Sequence, residues 1–202
     1  MEEFNRALFL WINATPHAPQ ALLMFARFIA KDLILVVPLT IIAGWLWGNA
    51  AQLPARRVII SQATLTLIIT LLLAQIIGWL LPHPRPFAIG LGQQFLPHAR
   101  DSSYPSDHGC AIFSFALAFL FWSPRKAAGL ALLLCGIAIA WSRIYLGVHW
   151  PLDMIGAFLI SLACCGLVQL LWPAYGNTLF IALQRLYRRL FGYAIRRGWV
   201  QN

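Results

Sequence analysis

Apolar residues fall in long blocks along this chain, in neither strict alternation nor a single helical stripe. Val58 to Leu81, His108 to Trp122, Ala127 to Tyr145 and Asp153 to Trp172 approach or reach the ~20 residues needed to cross a bilayer as a helix. A fifth block, Leu33 to Trp47, is short by itself. It becomes long enough if its helix begins near Ala21 and carries Lys31 and Asp32 with it. Phe4 to Asn13 is apolar but too short to cross, and Thr15-Pro16-His17-Ala18-Pro19 separates it from the next apolar block. The pattern predicts an all-α, polytopic transmembrane helix bundle of five or six membrane segments with interfacial helices at the termini. Five spans leave the termini on opposite sides. A sixth, merging Phe4 to Phe28 as a broken helix, brings both inside; length favours five.

Composition narrows the class further. Hydrophobic residues make up 60% of the 202 and charged residues 10%, outside the range of soluble globular domains. One membrane-embedded domain over 1–202 is expected. The net charge of +9 does not signal nucleic acid, because the basic residues sit between apolar blocks and not on a dense polar surface. Arg56 and Arg57, Arg125 and Lys126, then Arg185, Arg188, Arg189, Arg196 and Arg197 fall on one side, which the positive-inside rule makes cytoplasmic. The opposite loops hold Arg85, Arg100 and Arg143. Leu179, Leu183, Leu186 and Leu190 recur at helical spacing beside Arg185, Arg188 and Arg189, so the basic tail from about 178 to 202 is expected to be an interfacial amphipathic helix. Cys110, Cys135, Cys164 and Cys165 lie inside apolar blocks without metal-ligand spacing and are expected to be packing residues. Met1-Glu2-Glu3 lacks the basic region of a cleaved signal peptide.

Chemistry concentrates where apolar blocks end. In Ser142-Arg143-Ile144-Tyr145-Leu146-Gly147-Val148-His149-Trp150-Pro151-Leu152-Asp153, a helix beginning at Pro151 sets His149 and Asp153 four residues apart, within reach across one turn. The carboxylate would then hold one imidazole nitrogen and leave the other free to attack phosphorus, an orienting role like that in a nucleophilic triad. Pro105-Ser106-Asp107-His108 has the form of a helix start, with Ser106 as N-cap and free backbone N–H groups beyond it, an arrangement that attracts phosphate. His108 in that first turn is placed to act as general acid and then as base for water. Arg85, before Pro86-Phe87, and Arg143 supply permanently charged forks for phosphoryl oxygens.

These residues resemble the type 2 phosphatidic acid phosphatase superfamily, whose signatures run Lys-x6-Arg-Pro, Pro-Ser-Gly-His and Ser-Arg-x5-His-x3-Asp. The third is matched without exception, and the motif-bearing core runs from 78 to 153. The resemblance implies a metal-independent phosphatase without cofactor that passes through a phosphohistidine. It implies His149 as nucleophile, Asp153 as its orienter, His108 as acid and base, and Arg85, Ser106 and Arg143 as phosphate contacts. Two positions depart from the family. Gly78 stands where the first signature has lysine, and Lys31 is a candidate replacement, with a local ion pair to Asp32 as the competing reading. Asp107 stands where the second has glycine, so a carboxylate enters the phosphate-binding turn and must point away, cap the helix, or pair with a cation such as Arg100. Pro-Ser-Asp-His, Arg-Pro-Phe and the stretch His98-Ala99-Arg100-Asp101-Ser102-Ser103-Tyr104 resemble the bacterial undecaprenyl-diphosphatases linked to bacitracin resistance.

That branch implies hydrolysis of undecaprenyl diphosphate to undecaprenyl phosphate and phosphate on the outer face of the bacterial cytoplasmic membrane. The implied partners are the polyprenyl diphosphate and membrane lipids, with no nucleic acid. A broader lipid phosphatase acting on phosphatidylglycerol phosphate or diacylglycerol diphosphate is the nearest alternative. A two-metal phosphatase would want more carboxylates than Asp101, Asp107 and Asp153 provide. A lipid or ion transporter would place its polar residues at mid-depth and show paired broken helices, neither of which the chain suggests.

Overall fold

A computed structural model describes residues 2–202, and within them there are seven α-helices and no strand. They are α1 (Glu2–Ile12), α2 (Gln20–Lys31), α3 (Val36–Leu46), α4 (Leu53–Leu80), α5 (Asp107–Trp122), α6 (Lys126–Tyr145) and α7 (Pro151–Arg196). Short 3-10 turns lie at Leu33–Leu35 and Pro86–Ile89. Four stretches are long and apolar enough to cross a membrane: Gln20–Leu46, Leu53–Leu80, Lys126–Tyr145 and Pro151–Arg196, with α5 a shorter apolar helix.

One of the shorter helices forms the centre. α5 packs against α4, α6 and α7 at once, and Ile112, Phe115, Ala116 and Ala118 on it are fully buried. A helix apolar on every side is stable only when surrounded, which explains why α5 carries no polar stripe. Small residues let the neighbours approach: a side chain at Gly136 of α6 would meet the Phe113 ring, and Ser161 of α7 donates to the Cys110 carbonyl at 3.2 Å. Around this core, Leu72, Ile76, Leu134, Ile137, Leu159 and Leu170 are exposed. So continuous an apolar exterior is a surface for lipid, not water.

Two segments differ from the hydropathy reading. The stretch 20–46 is one candidate span by length and composition, interrupted after Lys31 by the 3-10 turn at Leu33–Leu35, and hydrogen bonds tie α2 and the segment before it to the loops around the site. The Ala14 N–H bonds the Tyr145 carbonyl, Arg27 donates to the Phe95 carbonyl, and Arg143 donates to the Ala30 carbonyl. The basic tail, in turn, is continuous with the last apolar block: α7 runs unbroken from 151 to 196 through Pro173. A straight helix would carry Tyr187 about 50 Å from Asp153. Yet Arg57, about 30 Å of helix from Gly78, lies over the Tyr187 ring, while Tyr104 touches both Gly78 and Gly156. The end of α7 thus lies against the far end of α4, and Pro173, which removes a helical hydrogen bond, is the place in α7 where a change of direction costs least. The end of the chain closes on the α3–α4 corner, where Arg57 donates to the carbonyls of Trp45 and Gln201.

Candidate active site

At one end of the bundle, the loops before α5 and α7 enclose a cavity of about 310 Å³ whose lining includes Arg85, His98, Asp101, Asp107, His108, Arg143 and His149. The motif residues, scattered over more than 60 positions of sequence, thus share one space.

His149 sits at its base, 2% exposed. Its Nδ1 lies 3.1 Å from Asp153 Oδ2, and the same oxygen accepts the Trp150 N–H at 2.8 Å. An acidic residue at the third position of a helix reaches back to the N-terminal backbone N–H, which is why this spacing holds locally. The other ring nitrogen, Nε2, faces Arg85 Nη1 at 3.1 Å and Arg143 Nη2 at 3.3 Å. Guanidinium groups can only donate. Nε2 must therefore carry the lone pair and Nδ1 the proton, directed at the carboxylate. Burial foremost, then the charges of Arg143 and Arg85, hold the imidazole well below its usual pKa.

Both arginines are themselves fixed. Arg85 donates through Nε to Asp101 at 2.8 Å, through Nη1 to the Val148 carbonyl at 2.8 Å and through Nη2 to the Ser102 carbonyl at 3.2 Å. Burial works against the Asp101 carboxylate, but the hydrogen bond and charge of Arg85 prevail and lower its pKa. Arg143 reaches the Ala30 carbonyl at 3.3 Å, and its buried Nε has no acceptor among the described residues. Two buried guanidinium groups beside one neutral ring favour an anion between them.

Opposite, Ser106 caps α5 by accepting the Gly109 N–H at 3.3 Å, and His108 lies in the first turn, lining the cavity. Asp107 points at neither Arg100 nor the helix start; both its oxygens accept from Gln75 Nε2 of α4, at 3.1 and 3.3 Å. Lys31 does not line the cavity. It is exposed at the end of α2, and among the described residues no ion pair joins it to Asp32. Gly78 does line the cavity, and a side chain there would start against the Tyr104 carbonyl and Ser102.

Several site residues lie outside the three signatures, although His98 opens the stretch 98–104 that carries the closer resemblance. His98 lines the cavity with its ring 6.2 Å from that of His149 and Nδ1 3.6 Å from Asp101; burial first, then Arg85, lowers its pKa. Asn13, at the end of α1, accepts the Gln93 N–H and donates to the carbonyls of Gln93 and Tyr145. Asn5 accepts the Leu152 N–H at the start of α7. Phe9 packs on Trp150. So α1, which hydropathy leaves lying flat or dipping in, clamps the loop bearing His149. Gly147 in that loop has φ +80, and a side chain there would strike the Gln93 carbonyl.

A family model described as the PAP2 superfamily matches residues 60–176. Over its whole length the chain is 46% identical to "Putative undecaprenyl-diphosphatase YbjG" of Escherichia coli (strain K12), covering all 202 residues and 100% of that protein. It is 30% identical to "Undecaprenyl-diphosphatase BcrC" of Bacillus subtilis (strain 168), covering 78% of this chain and 79% of the relative. The fold is that of the crystal structure of Aquifex aeolicus LpxE, with a TM-score of 0.63 at 23% identity over 82% of this chain and 94% of that one. A match across the helices that frame the cavity, together with full-length identity to one relative, means that the chain belongs to the PAP2 superfamily.

Proposed function

We propose that this lipid phosphatase hydrolyses undecaprenyl diphosphate to undecaprenyl phosphate and inorganic phosphate at the outer face of a bacterial cytoplasmic membrane, through a phosphohistidine on His149. The observation that carries the reading is the surroundings of His149: a carboxylate fixes Nδ1, two guanidinium groups flank the bare Nε2, and His108 lines the same cavity. The names of the relatives support the substrate.

The terminal phosphoryl group sits between Arg85 and Arg143, its oxygens replacing His149 as acceptor. Nε2 attacks phosphorus as the bond to the bridging oxygen breaks. The leaving group is undecaprenyl phosphate, whose second protonation lies near pH 6 (about 6 for a phosphoester), so it departs with little acid assistance. His108 then takes a proton from water, whose oxygen attacks the phosphohistidine and releases phosphate. Asp153 offsets the positive charge that the ring gains on phosphorylation. The lipid tail stays among the exposed apolar faces of the bundle, and the five crossing segments are residues 33–46 with α4, α5, α6 and the first part of α7.

Orientation is set by charge. Arg56, Arg57, Arg125, Lys126, Arg185, Arg188, Arg189, Arg196 and Arg197 lie at the end away from the cavity, and none of the six carboxylates does. The cation-rich end is cytoplasmic and the cavity faces out. Purified protein in detergent, with no gradient, tests the reading against undecaprenyl diphosphate, diacylglycerol diphosphate and phosphatidylglycerol phosphate. Phosphate release from the first and its loss in His149→Ala are expected. A preference for phosphatidylglycerol phosphate would reassign the substrate, and labelled phosphate recovered on a residue other than His149 would refute the mechanism.

A further inference from the structure

A second, larger cavity lies at the end opposite His149. A groove of about 700 Å³ opens between α3, α4, α5 and α6, with Gly44, Ile59, Ile60 and Phe119 on its apolar wall and Arg56 and Arg125 in its lining. Gly44 keeps it wide, since a side chain there would press on Ile60. Ala55, which also lines it, is exposed on the flank of the bundle.

The charges in it are not neutralised. Arg56 donates to the Trp47 carbonyl at 3.1 Å and Arg125 to the Gln52 side-chain oxygen at 3.2 Å, both uncharged acceptors. No Asp or Glu occurs from 33 to 100, from 108 to 152, or from 154 onward, so this end lacks an acidic side chain. The contrast with the other end is complete: six cations there share their surface with all six acids, and the net charge of +9 arises here.

We infer that this groove binds an anionic glycerophospholipid of the cytoplasmic leaflet, of the phosphatidylglycerol type, with its phosphodiester between Arg56 and Arg125 and an acyl chain along Ile59, Ile60 and Phe119. A soluble anion has no use for the apolar wall, and a zwitterionic lipid brings no net charge to two unpaired guanidinium groups. Basic pockets between membrane helices on the cytoplasmic side select acidic headgroups for this reason. The lipid site rests on the orientation proposed above but not on the identity of the substrate. Binding there is measured at the end remote from His149, so the two stand or fall separately.

Thermal unfolding of the purified protein in a neutral detergent, titrated with phosphatidylglycerol or phosphatidylcholine, supplies the test. Phosphatidylglycerol raises the Tm of wild type in a saturable way and phosphatidylcholine does not. Arg56→Gln with Arg125→Gln weakens the apparent affinity roughly tenfold or more. Ala55→Trp abolishes the shift by filling the groove while keeping both charges. Arg188→Gln with Arg189→Gln, on the tail, leaves it in place. Equal stabilisation by phosphatidylcholine, or a shift retained in both groove variants, overturns the inference. So does stabilisation by polyprenyl phosphate alone, which would make the groove a product site. Should the arginine pair fail to fold, the lipid comparison in wild type and the Ala55→Trp variant still decide the matter.

Discussion

Asp153→Asn is the sharpest perturbation of the catalytic geometry, because it removes a charge and almost no volume. Asp153 is 1% exposed, and one of its oxygens accepts from both His149 Nδ1 and the Trp150 N–H. An asparagine oxygen in the same place can accept both bonds. What is lost is the negative charge facing an imidazole that becomes cationic on phosphorylation. The difference between a charge-assisted and a neutral hydrogen bond sets the scale at about 1–1.5 kcal/mol, or roughly 5- to 13-fold in the rate of phosphoenzyme formation. In serine-protease triads the corresponding change costs about 10⁴-fold, because the histidine settles into the wrong tautomer. In the free enzyme that route is disfavoured. Arg85 and Arg143 can only donate to Nε2, at 3.1 and 3.3 Å, so moving the proton to Nε2 would set three donors against each other. Rapid-quench measurement of acid-labile phosphoenzyme with labelled lipid diphosphate reads the step directly. A loss near 10⁴-fold would show that the arginines do not hold the tautomer, and a rate within about two-fold of wild type would show that Asp153 carries no charge role.

Arg85→Lys should cost at least about 100-fold in kcat/KM, since one ammonium cannot serve Asp101, Val148, Ser102 and the phosphoryl group together; steady-state phosphate release measures it, and near-normal turnover would remove the fork from the mechanism. Lys31→Ala should leave turnover within about two-fold, because the residue lines no part of the cavity; a large loss with protein level intact would reinstate it. Gly147→Ala should lower both stability and activity, with about 1–2 kcal/mol from the left-handed backbone alone and more from the Gln93 carbonyl, as thermal unfolding would register. For pH, His149 has a folded pKa below its unfolded 6.5. Its contribution to stability is therefore fully present above 6.5 and is lost progressively as pH falls from there toward the folded value. Tm should drop on acidification below 6.5, and His149→Gln should flatten that slope; an unchanged slope would mean that other groups set it.

Local spacing predicted which motif side chains meet. The four-residue step from His149 to Asp153, a serine three before Gly109 and arginines at block ends place partners within one helical turn or at a helix mouth, and backbone geometry then leaves little choice. Hydropathy determined α4, α5 and α6 to within a few residues, because an unpaired backbone in lipid leaves no alternative to a helix. Packing decided the rest. A run of apolar residues satisfies lipid equally whether it is straight, broken at Asp32 or bent at Pro173, and only contact with the outer loops or with Trp45 selects among these. Gln75 beneath Asp107, His98 beside His149 and Asn13 under the catalytic loop are polar residues without periodicity, drawn together from distant segments. Lys31 illustrates the same limit from the other side: its place at the outer end was legible in the sequence, but the direction in which a helix presents a side chain is settled by the surface it packs against.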